Sequence, residues 1–313
     1  ALPEIDLPEL IRYAKQKGVR LRFWMHWEAA KTWMRAAFPI YKSWGIEGVM
    51  IDFMDRDDQE MMTFQRELLQ LAAENELTVT MHGSSKPTGL ERTYPNFMTS
   101  EGVLNLEHDK WGDVGCPPEH EVTVPFTRML AGPLDFHQGS FRGVSVEQYK
   151  PQSAAPVVIG SPSRTLASYV VYQNHLPMVA DYPEAYIKHP ATAMLAQIPT
   201  SWDETKVLSG NVGEHIMIAR RYDGKGGNDW YLGAMNDRQP RTFDVPLKFL
   251  STGRYRAEIY ADNLKDNPKG TSPRKLVKRT QTVTAADVLK IQLVAAGGYF
   301  VRLTSLSKNK NQK

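Results

Sequence analysis

The acidic residues of this 313-residue sequence are the first that suggest chemistry. Asp52 lies near the end of the apolar run Ile46–Phe53, where an unpaired carboxylate is costly, so a functional role explains it better than packing does. Glu101 and Glu107 flank a short apolar stretch, and their spacing alone favours ordinary surface positions. Together, however, the three carboxylates suit glycoside hydrolysis, in which one carboxylate attacks or activates water and one carboxylic acid protonates the leaving oxygen.

The third carboxylate of this trio suggests a hard cation such as calcium, which takes roughly six to eight oxygen ligands. Three further acidic residues precede a predicted helix: Asp55, Asp57 and Asp58. Negative charges at that position interact favourably with the positive N-terminal end of the helix dipole, so we interpret these three residues as capping residues.

Other site chemistries find little support in the sequence. The eight histidines do not show HExxH spacing, the segment 83–85 (GSS) is not a nucleophile elbow, and no GxGxxG or P-loop is present. The single cysteine, Cys116, excludes an internal disulfide and a zinc site built from cysteines. His26 and His82 each fall at a predicted strand end. That position is equally compatible with contact to a sugar hydroxyl and with a structural role.

Short apolar runs alternate with helical stretches up to about residue 205, which predicts βα units. The predicted strands are 19–25, 46–53 and 77–81, continued by apolar segments at 127–134 and 176–180. The predicted helices are 28–44 and 60–75. The residues spaced to bury one face of the first helix are Trp33, Ala36, Ala37, Ile40 and Tyr41.

This βα region is too short for a complete barrel. An eight-stranded barrel usually takes about 250 residues, whereas about 205 residues here hold five or six strands. An open barrel would expose strand edges and half of a core. We therefore expect residues 1–212 to form the C-terminal part of a (β/α)8 TIM barrel, completed by an upstream half or by a second chain.

The alternation of apolar runs and helical stretches ends at about Gly213. Six short strands separated by turn signals predict a small antiparallel β-sandwich over 213–306, so the fold class is α/β followed by a β domain. The predicted strands are 216–219, 230–234, 241–245, 255–260, 281–283 and 299–303. The polar tail, 307–313, is predicted to be disordered.

Charge and hydropathy narrow the classes of partner. Lys plus Arg number 38 and Asp plus Glu 35, and this balance argues against a nucleic-acid footprint. No stretch approaches the roughly 18 apolar residues that would span a membrane. The chain begins Ala-Leu-Pro-Glu without Met, so we expect the native N-terminus to be absent, and a missing signal peptide does not indicate a compartment.

Three long blocks of the sequence resemble glycoside hydrolase family 97. They are HGSSKPTGLERTYPNFMTSEGVLNLEHDKW (82–111), VTVPFTRMLAGPLDF (122–136) and QIPTSWDETKVLSGNVGE (197–214). The similarity extends from about Gly18 to Leu303. It implies a three-part enzyme with an N-terminal β-sandwich, a (β/α)8 barrel and a C-terminal β-domain, of which this chain matches the later barrel strands and the last domain.

The resemblance also implies a branch of the family and a role for each carboxylate. Inverting members carry a catalytic Glu where this chain has Gly83, and they lack the Asp found here as Asp52. Retaining members show the reverse pattern, which implies that Asp52 is the nucleophile. By the same matching, Glu107 is the general acid/base and Glu101 a calcium ligand, with Glu107 a second calcium ligand.

The resemblance also implies a substrate and a location for the protein. The retaining branch implies an α-galactosidase acting on α-galactoside oligosaccharides, with a β-L-arabinopyranosidase or an α-glucosidase as alternatives. An inactive carbohydrate-binding half-barrel is the alternative of another class. Four residues are predicted to contact the sugar: His26, His82, Lys86 and Arg92. The resemblance implies a bacterial protein that is periplasmic or secreted.

Overall fold

The structure, a computed structural model, describes residues 4–224, 228–265 and 274–306. The predicted disordered tail, 307–313, therefore lies outside the described residues. The chain divides into two compact units. One contains the described residues up to Val103 together with Ala131–Asp135, and the other contains Leu104–Leu130 and the described residues from Phe136 onward.

The first unit is built on a four-stranded parallel sheet. Its strands, in spatial order, are β1 (Arg22–His26), β2 (Gly48–Asp52), β3 (Thr78–Met81) and β4 (Phe97–Ser100). Its helices are α1 (Leu7–Gln16), α2 (Trp27–Trp44), α3 (Gln59–Glu74) and α4 (Leu90–Thr93). Consecutive strands are neighbours and run parallel, which is the βα repeat expected for part of a TIM barrel.

Side-chain alternation gives this sheet two different faces. Val49, Ile51 and Val79 are fully buried in a core with residues of α2 and α3. Because successive side chains of a strand point to opposite faces, Trp24 and Asp52 belong to the other face. The helices therefore cover one face of the sheet, and the predicted carboxylate belongs to the opposite one.

The buried face of α2 differs from the one predicted. Trp33 and Ile40 are 62% and 46% exposed, whereas Ala30, Met34 and Phe38 are buried. Two apolar stripes run along this helix, and its sequence does not say which one meets the sheet. The stripe with spacing i, i+4, i+8 packs with the apolar face of β2 and is therefore buried.

Two predicted strands of the barrel region are not strands. Segment 127–134 contains a 3₁₀ helix, Arg128–Ala131, and forms a single parallel bridge between Leu134 and Ser100. Segment 176–180 is irregular. Each segment carries a proline, Pro133 or Pro177, which cannot donate a ladder hydrogen bond.

The second unit combines a short α/β part with the antiparallel domain. Its helices are α5 (Pro118–Thr123), α6 (Pro162–Val171), α7 (Pro183–Ile187) and α8 (Thr192–Leu195), with 3₁₀ helices at Leu106–Lys110 and Val124–Phe126. The parallel pair is β5 (Gly143–Val144) and β6 (Val158–Ile159). The remaining strands are β7 (Glu204–Asn211), β8 (His215–Tyr222), β9 (Asp229–Asn236), β10 (Arg241–Pro246), β11 (Tyr255–Asp262), β12 (Leu276–Val283), β13 (Val288–Leu293) and β14 (Gly298–Ser305).

These eight strands form two sheets that share one core. The larger sheet has the order β12-β11-β14-β9-β8-β7, and the smaller pairs β10 with β13. Met217, Trp230 and Val301 of the first are buried together with Val245 and Ile291 of the second. The fold class is therefore confirmed: part of a (β/α)8 barrel is followed by an antiparallel β domain.

Two strands of this domain are absent from the sequence prediction. Strand β7 begins at Glu204, before residue 213 where the predicted domain boundary lies, and it is an edge strand. Its sequence, ETKVLSGN, is mostly polar because much of it is exposed, so it carries little apolar signal. Strand β13 alternates buried and exposed residues as a half-buried strand does.

A buried cation connects three elements of the second unit. Arg164 of α6 is 3% exposed, and its Nε lies 3.3 Å from Oε1 of Glu121 on α5. Its Nη1 donates to the carbonyl oxygen of Asn236 in β9 at 2.6 Å, and its Nη2 donates to that of Pro118 at 3.2 Å. Helix α6 is thereby joined to α5 and to the larger sheet.

No helix among the described residues is both long and apolar enough to cross a membrane.

Replacing Arg164 by Met should destabilise the second unit strongly. The variant leaves Glu121 buried without its cation, and breaking such a pair costs roughly 3–5 kcal/mol. Urea unfolding followed by circular dichroism measures the loss. The double variant Arg164→Met/Glu121→Gln should recover part of it, because it removes the unpaired charge. A loss below about 1 kcal/mol in the single variant would show that the pair contributes little.

Candidate functional site

Four of the predicted site residues meet at one edge of the parallel sheet. His26 and Asp52 are the last residues of β1 and β2, and their Cα atoms are register partners. His82 directly follows β3, and Glu101 directly follows β4. Because the strands are parallel, these positions share the carboxyl edge, where barrel enzymes carry their functional groups.

The carboxylate of Asp52 accepts a hydrogen bond on each oxygen. Trp24 Nε1 donates to Oδ2 at 2.9 Å, and the backbone N–H of Phe53 donates to Oδ1 at 2.6 Å. Phe53 has a left-handed φ of 63°, which is uncommon for a residue with a side chain and is often found at functional sites. Its ring stacks on His26 at 5.5 Å between centroids, and the side chain of Asp52 is half-buried.

His82 is buried between two acidic side chains. Its Nε2 lies 3.1 Å from Asp135 Oδ2, and its Nδ1 lies 3.7 Å from Glu101 Oε1. Burial lowers the pKa of His82, but the hydrogen bond to Asp135 and the charges of Asp135, Glu101 and Asp52 outweigh it and raise that pKa to about 9. The imidazole is therefore charged at neutral pH, and its cation offsets the neighbouring carboxylates.

Glu101 is fixed by the loop that follows β3. Its Oε2 accepts a hydrogen bond from the backbone N–H of Gly83 at 2.9 Å, and its own N–H donates to the carbonyl oxygen of Met81 at 2.9 Å. A cavity of about 430 Å³ opens beside it, lined by Asp55, Arg56, Asp57 and residues of the loops after β3 and β4. Hard carboxylate oxygens at a solvent-accessible cavity are suitable ligands for a calcium ion by their chemistry.

Gly83 permits a close backbone approach under this edge. Its φ is 49°, and a Cβ built there would lie 2.9 Å from both N and Cα of Phe53. Its carbonyl oxygen also accepts a hydrogen bond from the N–H of Asp55 at 2.5 Å. The loop after β3 therefore packs directly on the backbone that follows Asp52, and a side chain at position 83 would push it away.

Glu107 belongs to the second unit. It lies on the 3₁₀ helix Leu106–Lys110, and its Oε2 is 3.8 Å from Nδ1 of His137. The backbone N–H of His137 donates to the side chain of the buried Asn105 at 2.7 Å. Asp52 and Glu107 thus fall in different units, and their proximity stays a prediction.

The segment that carries Glu107 is held by buried polar groups. Asp109 accepts the backbone N–H of Cys116 at 2.7 Å, and the Tyr149 hydroxyl donates to the carbonyl oxygen of Gly112 at 2.7 Å. Burial is the main reason that the pKa of Asp109 rises to about 7. The thiol of Cys116 is also buried and has a raised pKa, so it is a packing residue of this loop.

The other predicted sugar contacts lie between β3 and β4. Lys86 is an exposed loop residue, and Arg92 is exposed on α4. Their contacts with a sugar stay predictions, as does that of the buried His82. His26 caps α2, since its Nδ1 accepts the N–H of Glu28 at 3.3 Å, and Asp58 caps α3 as predicted.

Two residues of the site were missed by the sequence analysis. Trp24 lies two residues before the end of β1, and its strand position alone predicts the same face as His26. Asp135 follows an apolar segment that ends in Leu134, which resembles the context of Asp52, and this is the signal that would have found it. Its pairing with His82 depends on the chain returning to β4 at Ser100, which local sequence does not show.

Comparison with known proteins finds matches along most of the chain. A family model described as glycoside hydrolase 97 matches residues 1–103, and one described as glycosyl-hydrolase 97 C-terminal, oligomerisation, matches 201–304. A retaining α-galactosidase of Bacteroides thetaiotaomicron is 36% identical over 302 residues, which are 96% of this chain and 45% of that protein. A probable retaining α-galactosidase of Streptomyces bingchenggensis is 32% identical over 94% of this chain and 42% of its own length.

Solved structures show the same similarity. A glycoside hydrolase family 97 enzyme from Pseudoalteromonas sp. strain K8, in complex with panose, has a TM-score of 0.87 and 33% identity, covering 97% of this chain and 50% of that one. A β-arabinopyranosidase with a TM-score of 0.80 and 24% identity, covering 96% of this chain and 48% of its own, shares the fold.

Parallel βα strands followed by an antiparallel β domain, together with these matches, define the class of the chain: the later barrel part and C-terminal domain of a glycoside hydrolase family. The chain belongs to glycoside hydrolase family 97. It spans about half the length of the relatives that it matches.

Replacing Gly83 by Ala should displace Asp52. The new Cβ would lie 2.9 Å from the Phe53 backbone, and the alanine would have to adopt a left-handed φ. We therefore expect a loss of roughly 1–3 kcal/mol in the free energy of unfolding and at least about a ten-fold loss of kcat/KM for glycoside hydrolysis. The matched control is Gly45→Ala, at φ 75° with nothing within 4 Å of its Cβ, which should lose stability and keep its activity. Equal activity losses in the two variants would contradict this account.

Proposed function

We propose that the protein is a retaining glycoside hydrolase that removes terminal α-galactosyl residues by double displacement, with Asp52 as nucleophile. The observation that carries the proposal is an Asp at the carboxyl end of a βα strand with a hydrogen-bond donor on each oxygen. Two relatives, 36% and 32% identical, are named as a retaining and a probable retaining α-galactosidase.

The first step forms a covalent galactosyl-enzyme. A carboxylate oxygen of Asp52 attacks the anomeric carbon, the glycosidic C–O bond breaks, and Glu107 protonates the leaving oxygen. For direct attack the two carboxyl groups must stand about 5 to 5.5 Å apart, so we expect that separation in the assembled enzyme. The aglycone leaves with the proton of Glu107.

The second step releases galactose. Glu107, now a carboxylate, accepts a proton from a water molecule whose oxygen attacks the anomeric carbon. The ester bond breaks, and its electron pair returns to Asp52. Two inversions give net retention, so the released galactose has the α configuration.

Gly83 supports a retaining mechanism through packing. The inverting alternative needs a carboxylate base, which the family resemblance assigns to position 83. A side chain there would enter the space of the Phe53 backbone, from which the second hydrogen bond to Asp52 comes. The close approach at Gly83 therefore supports a nucleophile on β2 over a base at 83.

Calcium is part of the proposal. Glu101 and Glu107 would hold it, and both offer the hard oxygen ligands that the ion prefers. A bound Ca²⁺ supplies positive charge that orients the sugar and stabilises charge developing at the leaving oxygen. We also propose that an upstream segment or a second chain completes the barrel, and that the protein is periplasmic or secreted.

Asp52→Asn should abolish hydrolysis of p-nitrophenyl α-galactoside without changing the fold, because an amide cannot serve as the nucleophile. Release of p-nitrophenol measures turnover, and circular dichroism measures folding. In Asp52→Gly, which leaves space for an external nucleophile, azide should restore part of the activity and give a galactosyl azide of inverted configuration. Wild-type turnover in Asp52→Asn would overturn the nucleophile assignment.

Proton NMR of the first sugar released by the unaltered protein provides the stereochemical test. We expect α-galactose before mutarotation, and β-galactose would overturn retention. The p-nitrophenyl β-L-arabinopyranoside and α-glucoside, assayed beside it, decide among the three sugar specificities. Binding of galactose without hydrolysis of any of the three, by the complete natural protein, would favour a carbohydrate-binding role.

Calcium removal should lower activity and stability together. Chelation is expected to reduce the initial rate at least about ten-fold, with recovery on addition of Ca²⁺ but not of an equal ionic strength of Na⁺. Binding should also raise the Tm, since a ligand that binds the folded state stabilises it. Glu101→Gln should weaken the Ca²⁺ affinity measured by titration calorimetry. An unchanged rate and Tm after chelation would remove calcium from the proposal.

A further inference from the structure

We propose that Trp24 is a positioning residue for Asp52, and that its indole N–H stabilises the carboxylate as it leaves the galactosyl-enzyme. The proposal rests on the proposed role of Asp52 as nucleophile. It goes beyond that role by assigning a second residue to one step of the reaction, the hydrolysis of the ester intermediate.

Strand register brings the two side chains together. Trp24 is the Cα partner of Met50, and His26 is the partner of Asp52. Trp24 therefore lies level with the residue two positions before Asp52, on the same face of the sheet. This is the face opposite the helices, since Val49 and Ile51 fill the helical core. The indole reaches along the neighbouring strand, and its Nε1 lies 2.9 Å from Oδ2 of Asp52.

The chemistry of indole makes this contact one-directional. The indole N–H can only donate a hydrogen bond, so it stabilises a negatively charged carboxylate oxygen. It cannot accept a hydrogen bond from the O–H of a protonated carboxyl group. Trp24 also contacts the residue that follows Asp52. It meets the Phe53 ring edge-on at 5.9 Å between centroids, and Phe53 supplies the other donor to Asp52. Two donors from different elements thus fix both oxygens of one carboxylate.

The two half-reactions use these donors differently. When the ester forms, Asp52 loses its negative charge, and the hydrogen bond from Trp24 weakens. When water attacks the anomeric carbon, the ester C–O bond breaks and the electron pair returns to Asp52, so charge grows on the group that the indole faces. A donor already aimed at developing charge lowers the barrier of that step without reorganisation.

Removal of the donor should therefore slow hydrolysis of the intermediate more than its formation. For Trp24→Phe we expect kcat to fall about ten- to a hundred-fold, the range for a hydrogen bond to a charged group. KM should fall in parallel because the intermediate accumulates, so kcat/KM, which reports its formation, should change less than about five-fold.

The test uses the complete natural protein and p-nitrophenyl α-galactoside. Steady-state kinetics give kcat and KM, and acid quenching followed by intact-mass spectrometry gives the fraction of enzyme that carries one galactosyl group. The matched control is Trp33→Phe, at an exposed position of α2, which should behave as the unaltered protein. Trp24→Met, which also lacks the donor, repeats the measurement with different packing.

An increased galactosyl-enzyme fraction in both Trp24 variants, with the split between kcat and KM, supports the proposal. Unchanged kinetics, or equal losses of kcat and kcat/KM without accumulation, would overturn it. Peptide mapping separates this outcome from failure of the proposed function. An adduct on a residue other than Asp52 would overturn the nucleophile assignment, whereas an adduct on Asp52 that does not accumulate would overturn the role of Trp24 alone.

Discussion

The parallel hydrogen-bonded ladder from β1 to β4 is the constraint on which the candidate site depends. Because each strand runs parallel to the next, the carboxyl ends of all four strands reach the same edge. Asp52 and His26 become neighbours through the register of β1 with β2, although they lie 26 positions apart along the chain. The apolar face of the same strands binds α2 and α3, and this burial supplies the energy that holds the polar residues of the other face in position.

The polar face is then stabilised by local compensation of charge. The sheet edge brings several carboxylates close together, and His82 balances them by carrying a proton at neutral pH. Backbone packing also holds this edge together, because the backbone of Phe53, with its left-handed φ, lies against Gly83, which has no side chain. In the second unit, Arg164 has the same function for Glu121.

Much of the fold was predictable because it follows from periodicity. The apolar runs that end at Asp52 and Met81 are strands, α3 forms where the second helix is predicted, and the antiparallel domain follows the barrel part. The errors have common causes. The helix α2 carries two apolar stripes, and only packing selects between them. The edge strand β7 is too polar to be recognised, and the segments with Pro133 and Pro177 are apolar without being strands.

The sequence by itself determined the residue types of the site and the family, because long ordered motifs and a carboxylate within an apolar run are properties of the chain alone. The tertiary structure decided the contacts among those residues. Trp24 reaches Asp52 through strand pairing, and Asp135 reaches His82 because the chain returns beside β4. Such contacts join residues that are distant in sequence, so no local pattern encodes them, and they exist only once the sheet has formed.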